Sequence, residues 1–346
     1  MFNSIFMNFL EVLPEDIIRV LIETIYFTSK VSLVVFAYVN KFCYRISRIC
    51  ALQYKVDRPI KCYEIAAEGS LKILKWARSN NYNWDSTTCS QAAEYGHLHV
   101  LKWANGNGCN WDSLTCTNAA KKGYSKMLKW AVSAGCELNI KNAAEHAAYN
   151  GHLKILLWLM YKNDKEWNTN MCAFAAQNGH LKVLKWARYF DCPWDYLTCA
   201  NAALNGHLGV LIWARYEGCP WDSWTCVHAA RNGHLEVLMW ARSNGCEWNY
   251  LVSEWASYNG HLNVLMWARS NGCEWNANVC SWAAFRGHLE ILQWARLNGS
   301  EWDSLTCARA VEGGHLEILK WARANGCPWT DETAKLAKQK WPNIFS

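Results

Sequence analysis

Three residue types able to do chemistry crowd this chain: 17 cysteines, 11 histidines and 23 tryptophans in 346 residues. Imidazoles exchange protons near neutral pH, thiolates attack carbonyls or ligate metals, and indoles stack on planar ligands. The stretch GHLEILKWARANGCPW (314–329) gathers all three, and close copies stand at 233–248 and 260–275. Eight histidines follow a glycine: His97, His152, His180, His207, His234, His261, His288 and His315. One active site suffices for a catalyst, so eight copies favour a turn histidine that bonds backbone between units. The cysteines recur in pairs such as Cys192/Cys199 and Cys219/Cys226. Zinc sites use tight C-x₂₋₄-C pairs, and a six-residue gap is a poor match. The thiols therefore read as small core residues. No Gly-rich phosphate loop, Walker motif or G-x-S-x-G is present. The expectation is a chain with no catalytic residue, no metal and no cofactor.

What positions these residues is a repeat. Ten glycines mark it: Gly69, Gly96, Gly123, Gly151, Gly179, Gly206, Gly233, Gly260, Gly287 and Gly314. Seven of the nine intervals are 27 residues and two are 28. A tryptophan stands seven residues after every anchor, from Trp76 to Trp321, and a second follows in nine units. Nineteen of the 23 tryptophans are thus lattice positions, which predicts that they build the core. After the second tryptophan comes Asp or Asn, as at Asp195 and Asp222, a helix-capping signal. A first helix then carries a small pair such as Ala202–Ala203 and stops at the glycine. A second helix carries Leu208, Val210, Leu211 and Trp213, and an arginine such as Arg215 suits its negative end. No unit alternates like a strand. The expected fold is all-α, an α-solenoid of about ten stacked helix-turn-helix repeats with a small N-terminal helical domain. The expected boundaries are 1–54 for that domain, 55–329 for the array and 330–346 for a polar capping half-repeat.

The stretch TCANAALNGHLGVLIWARYEGC (198–219) resembles ankyrin repeats: Thr198, Ala202, Ala203, Gly206, His207, Leu208, Val210 and Leu211 match that family's pattern in order. The units are shorter than ankyrin's, and the tryptophan pair departs from it. The array is similar to divergent ankyrin-like arrays of large DNA viruses and protists. The resemblance covers about three quarters of the chain and implies a binding scaffold rather than an activity.

The segment LPEDIIRVLIETIYFTSKVSLVVFAYVNKFCYRIS (13–47) lies outside the period and reads as a helical bundle. It resembles an F-box: Leu13, Pro14, Asp16, Ile17, Ile22, Leu33, Val39, Lys41 and Phe42 fall in that family's order, with Phe42 where Trp is common. That resemblance implies docking to a Skp1-type adaptor of a cullin ubiquitin ligase, with Leu13, Pro14, Ile17, Ile22, Leu33, Val39, Lys41 and Phe42 as contacts. The competing reading makes these helices only the solenoid's N-terminal cap, and the protein a binding scaffold or host-factor decoy with no ligase link.

A ligand must read what differs between units. The two positions before each anchor glycine change freely and would line one surface at the ends of the first helices. The candidates are Tyr95, Lys122, Tyr149, Gln177, Leu204, Arg231, Tyr258, Phe285 and Arg286, several of them types that carry interface energy. Net charge is +6, which neither demands nor excludes an anionic partner. Nucleic-acid binding is the weaker reading, because the lattice tryptophans are assigned to the core. The longest apolar run, 31–39, is about half a bilayer span, and the first residues lack a signal peptide's basic flank. A monomer with free thiols, protein partners and no membrane contact is expected, in the cytoplasm, or in the host cell's cytoplasm or nucleus if viral.

Overall fold

The computed structural model describes residues 61–162 and 167–344. The F-box-like segment, with all of its candidate contacts, lies outside the described residues. Among the described residues there are 21 helices and no strand. They form two compact units, one of residues 61–147 with 154–162, the other of 148–153 with 167–344. In the first, the helices Cys62–Ala67, Ser86–Glu94 and Ser113–Lys121 pack in series. In the second, Thr169–Gln177, Tyr196–Leu204, Ser223–Arg231, Leu251–Tyr258, Asn278–Arg286 and Ser304–Gly313 do the same. Each is followed by a second helix, such as Leu208–Tyr216, that folds back on it. This is an all-α solenoid.

The local chemistry of one unit explains its shape. Asp195 Oδ1 accepts the backbone N–H of Leu197 at 3.0 Å and starts the first helix. Gly206, at φ +75°, ends it. The N–H of His207 donates to Ala202 O and that of Gly206 to Ala203 O, a Schellman closure. The second helix ends the same way: Cys219 N–H reaches Ala214 O and Gly218 N–H reaches Arg215 O. Among the described residues, two units have no second glycine and put Asn81 and Asp191 there at φ 63° and 57°, residues that tolerate the left-handed region. Ala202 and Ala203 are fully buried, as are Ala92, Ala93, Ala229 and Ala230. Their small size lets consecutive first helices approach closely, while Leu211 and Leu238 fill the space beneath the second helices. Burying each such leucine stabilises by roughly 1.5–3 kcal/mol.

The tryptophans depart from expectation. They are half-buried, and the largest fully buried side chains are leucine, isoleucine and methionine. Eight of the nine loop indoles instead pack edge-on against the indole of their own second helix, as Trp194 on Trp213 at 6.0 Å and Trp221 on Trp240 at 5.9 Å. An arginine of the preceding helix covers seven of the nine loop indoles: Arg215 lies 4.1 Å from the Trp221 ring centre and also donates to Cys219 O. The arginine does more than complement a helix dipole. It is a bracket holding an indole and a loop carbonyl.

The last helix, Asp331–Lys340, buries Thr333 and Ala337 and leaves most of its surface wet. Lys340 Nζ donates to Val311 O and to Glu312 O, the second being the carbonyl that an eleventh unit's histidine would take.

Candidate protein-docking surface

The histidines prove to be staples. His234 Nε2 lies 3.1 Å from Leu204 O, His261 Nε2 3.1 Å from Arg231 O, and His288 Nε2 3.3 Å from Tyr258 O. Each ring also lies against the previous unit's anchor glycine, so a Cβ on Gly206 would sit 2.8 Å from His234 Nδ1. Burial lowers the pKa of His207, His261 and His288, against a smaller opposing pull from the carbonyl bond. They are neutral wedges between units.

The cysteines form a second inter-unit contact. Loop thiols donate to the preceding unit's capping residue, as Cys219 Sγ to Asp195 O at 3.4 Å and Cys246 Sγ to Asp222 O at 3.2 Å. Each meets a helix residue 20 positions earlier, and where serine replaces one partner the contact is Ser253 Oγ to Cys273 Sγ at 3.5 Å or Cys280 Sγ to Ser300 Oγ at 3.4 Å. The hydrogen bond with its partner thiol, and then burial, hold Cys172, Cys199 and Cys226 far above the usual thiol range. Such thiols are inert. Among the described residues no group of three His, Cys, Asp or Glu is placed to hold a metal, and no helix is long and apolar enough to cross a membrane.

What remains for chemistry is the ends of the first helices. All nine expected surface residues lie there. In the first unit, exposed Tyr95 neighbours Glu94, which pairs at 3.6 Å with both Lys121 and exposed Lys122. In the second unit, Tyr149, Arg231 and Arg286 are exposed, while Gln177, Leu204, Tyr258 and Phe285 are half-buried. Tyr149 packs edge-on against Phe174 at 6.1 Å. Part of this surface is structural. Asn178, Asn205 and Asn232, just before their glycines, donate to Tyr149 O, Gln177 O and Leu204 O. The position before the glycine is therefore less free than its variation implies.

Four of the residues converge. Tyr258 stacks with Phe285 at 6.3 Å, Arg286 lies 4.9 Å over the Tyr258 ring, and Arg231 is drawn in through Trp255, over which it lies at 4.5 Å. Trp282 meets Tyr258 at 5.4 Å, and Arg309 covers Trp282 at 4.9 Å. Trp255, Trp282 and Arg309 were not among the expected residues. They stand one helical turn earlier, five positions before the glycine, on the same face. In two other units that position holds Asn118 and Asn201, whose amides bond Ser90 O and Ala173 O of the preceding helix. Tryptophan cannot accept that role in the same way. Where those two units place an inter-unit hydrogen bond, two others place an indole. The signal was present in the sequence, since Trp224, Trp255, Trp282 and Trp341 are the four tryptophans outside the lattice.

No family model matches the chain, and no curated protein matches it.

Proposed function

We propose that this chain is a non-enzymatic adaptor: an ankyrin-like array that captures a protein partner, joined to F-box-like helices that recruit a Skp1/cullin-type ubiquitin ligase. One observation carries the capture half. The arginine-bracketed aromatic tract from Arg231 to Arg309 stands outside the repeat lattice, partly exposed, at the ends of adjacent first helices. Aromatic and arginine side chains in such clusters dominate protein interfaces. The conspicuous histidines, thiols and lattice tryptophans are occupied in holding units together, which leaves this tract as the variable surface. The ligase half rests on the Leu13-Pro14 to Phe42 sequence pattern, whose partner is a protein of the host or native cytoplasm or nucleus.

Co-purification of the full chain, of Leu13→Ala/Pro14→Ala and of a chain lacking residues 1–50 tests both halves. The proposal expects a Skp1-type protein with the full chain and its loss in both variants, with partner capture retained. If no Skp1-type protein accompanies the full chain, the array is a scaffold or decoy and the ligase link falls.

A further inference from the structure

Glu254 is the one charged side chain that is buried among the described residues, with 9% of its surface exposed. It stands on the helix Leu251–Tyr258 at the position of Ser90, Ala200 and Val227 in other units. Burying a carboxylate is costly unless hydrogen bonds compensate it. Here Asn276 Nδ2 and Asn278 Nδ2 both donate to Oε1, each at 2.9 Å. None of the ion pairs among the described residues includes Glu254, and Oε2 has no protein donor. The carboxylate lines a cavity of about 290 Å³ whose other walls are Leu251, Trp255, Tyr258 and Trp282. Trp255 and Trp282 both pack edge-on against Tyr258, at 5.6 and 5.4 Å.

We propose that this cavity binds a single alkylammonium group, the side chain of a lysine, free or N-methylated, carried by the captured protein. The inference rests on the reading that the array captures a protein. A largely buried carboxylate without an ion partner offers a cation a full opposite charge at the wall of an otherwise apolar cavity. An aliphatic anchor would leave that carboxylate buried and unpaired. A guanidinium would need both carboxylate oxygens for its fork, and Oε1 is already taken by two amides. A compact ammonium needs only Oε2. That contact calls for an N–H, so free, monomethylated and dimethylated lysine bind more tightly than trimethylated lysine. Base stacking is disfavoured because Arg231, Arg286 and Arg309 already lie over the rings of Trp255, Tyr258 and Trp282. Arg309 is paired with Glu312 at 2.6 Å, whereas Arg231 and Arg286 have no carboxylate partner among the described residues. Their charge selects a lysine flanked by acidic residues.

The test uses the full chain and short probes: Ac-EEKEE-NH₂, its dimethyl-lysine, trimethyl-lysine and norleucine forms, Ac-KKKKK-NH₂ and an oligothymidylate. Binding is followed by the indole N–H resonances of Trp255 and Trp282 and by calorimetry. The free and dimethyl forms are expected to shift both resonances, the trimethyl form more weakly, the norleucine form and the other two probes not at all. Glu254→Gln, with unchanged helical circular dichroism, is expected to weaken the dimethyl peptide at least about tenfold. Equal binding of the norleucine peptide, shifts caused by the oligothymidylate, or no binding of the lysine peptides at millimolar concentration each overturn the proposal. If Glu254→Gln does not fold, the lysine-against-norleucine comparison on the unmodified chain decides alone. A chain that captures its partner equally well with Glu254→Gln keeps the adaptor reading and loses the ammonium site.

Discussion

Replacing Gly206 by alanine separates two reasons for the anchor glycine. Gly206 and Gly218 both adopt left-handed backbone, at φ +75° and +80°. Alanine at such φ costs about 1–2 kcal/mol. At Gly218 nothing lies within 4 Å of the added Cβ, so Gly218→Ala is expected to cost only that much. At Gly206 the Cβ would lie 2.8 Å from His234 Nδ1 and 2.9 Å from Cε1. The ring must swing away and lose its bond to Leu204 O, about 1 kcal/mol more. Gly206→Ala is therefore expected to cost about 2–3 kcal/mol in total. In a His234→Ala background the clash is gone, and Gly206→Ala should fall back to the Gly218→Ala value. The coupling between the two sites is then about 1 kcal/mol. Urea unfolding of the unmodified chain, the three single variants and the double variant, followed by circular dichroism with m-values compared, measures both the costs and the coupling. Equal costs at Gly206 and Gly218, together with zero coupling, would refute the wedge reading of the histidine.

Arg215→Lys keeps the charge but gives up both the planar stack on Trp221 and its bond to Cys219 O; a loss of roughly 1–2 kcal/mol in thermal unfolding is expected, and none would mean the bracket is idle. The lowered pKa values of His207, His261 and His288 mean that the unfolded chain binds more protons than the folded one. Their stabilising contribution is complete above about pH 6.5 and declines as pH falls from there through the folded values. Urea midpoints that stay flat between neutral pH and about pH 5 would contradict this assignment. Cys199→Ser should cost less than about 1.5 kcal/mol, since Ser253 and Ser300 already fill the paired positions elsewhere, and the native thiols should resist a disulfide reagent until the array is unfolded.

The repeat and its punctuation were legible because glycine, capping aspartate and the alanine pair each answer a backbone requirement that recurs every 27 or 28 residues. The staple role of histidine was legible for the same reason: a residue copied eight times beside a turn serves the turn. The tryptophans misled because bulk suggests burial. Close approach of the first helices needs alanine-sized side chains, so the large indoles are pushed to the flank, where arginine covers them. The docking tract was half legible. Tyr258, Phe285 and Arg286 stand out as variable residues at the helix ends. Trp255, Trp282 and Arg309 needed the additional step that a residue one turn earlier shares their face. Glu254 was invisible, because nothing in a local pattern tells a buried carboxylate from a solvated one.

The central claim is that capture belongs to the variable ends of the first helices and to no other exposed apolar surface. Tyr216 and Leu297, each 87% exposed at the ends of second helices, provide the control. Partner recovery in a pull-down from the native cell, quantified by mass spectrometry, compares the full chain with Tyr258→Ala/Phe285→Ala/Arg286→Glu and with Tyr216→Ala/Leu297→Ala, all checked for helical content. The account predicts that the first variant loses its partner and the second keeps it. Capture that survives in the first and disappears in the second would contradict it.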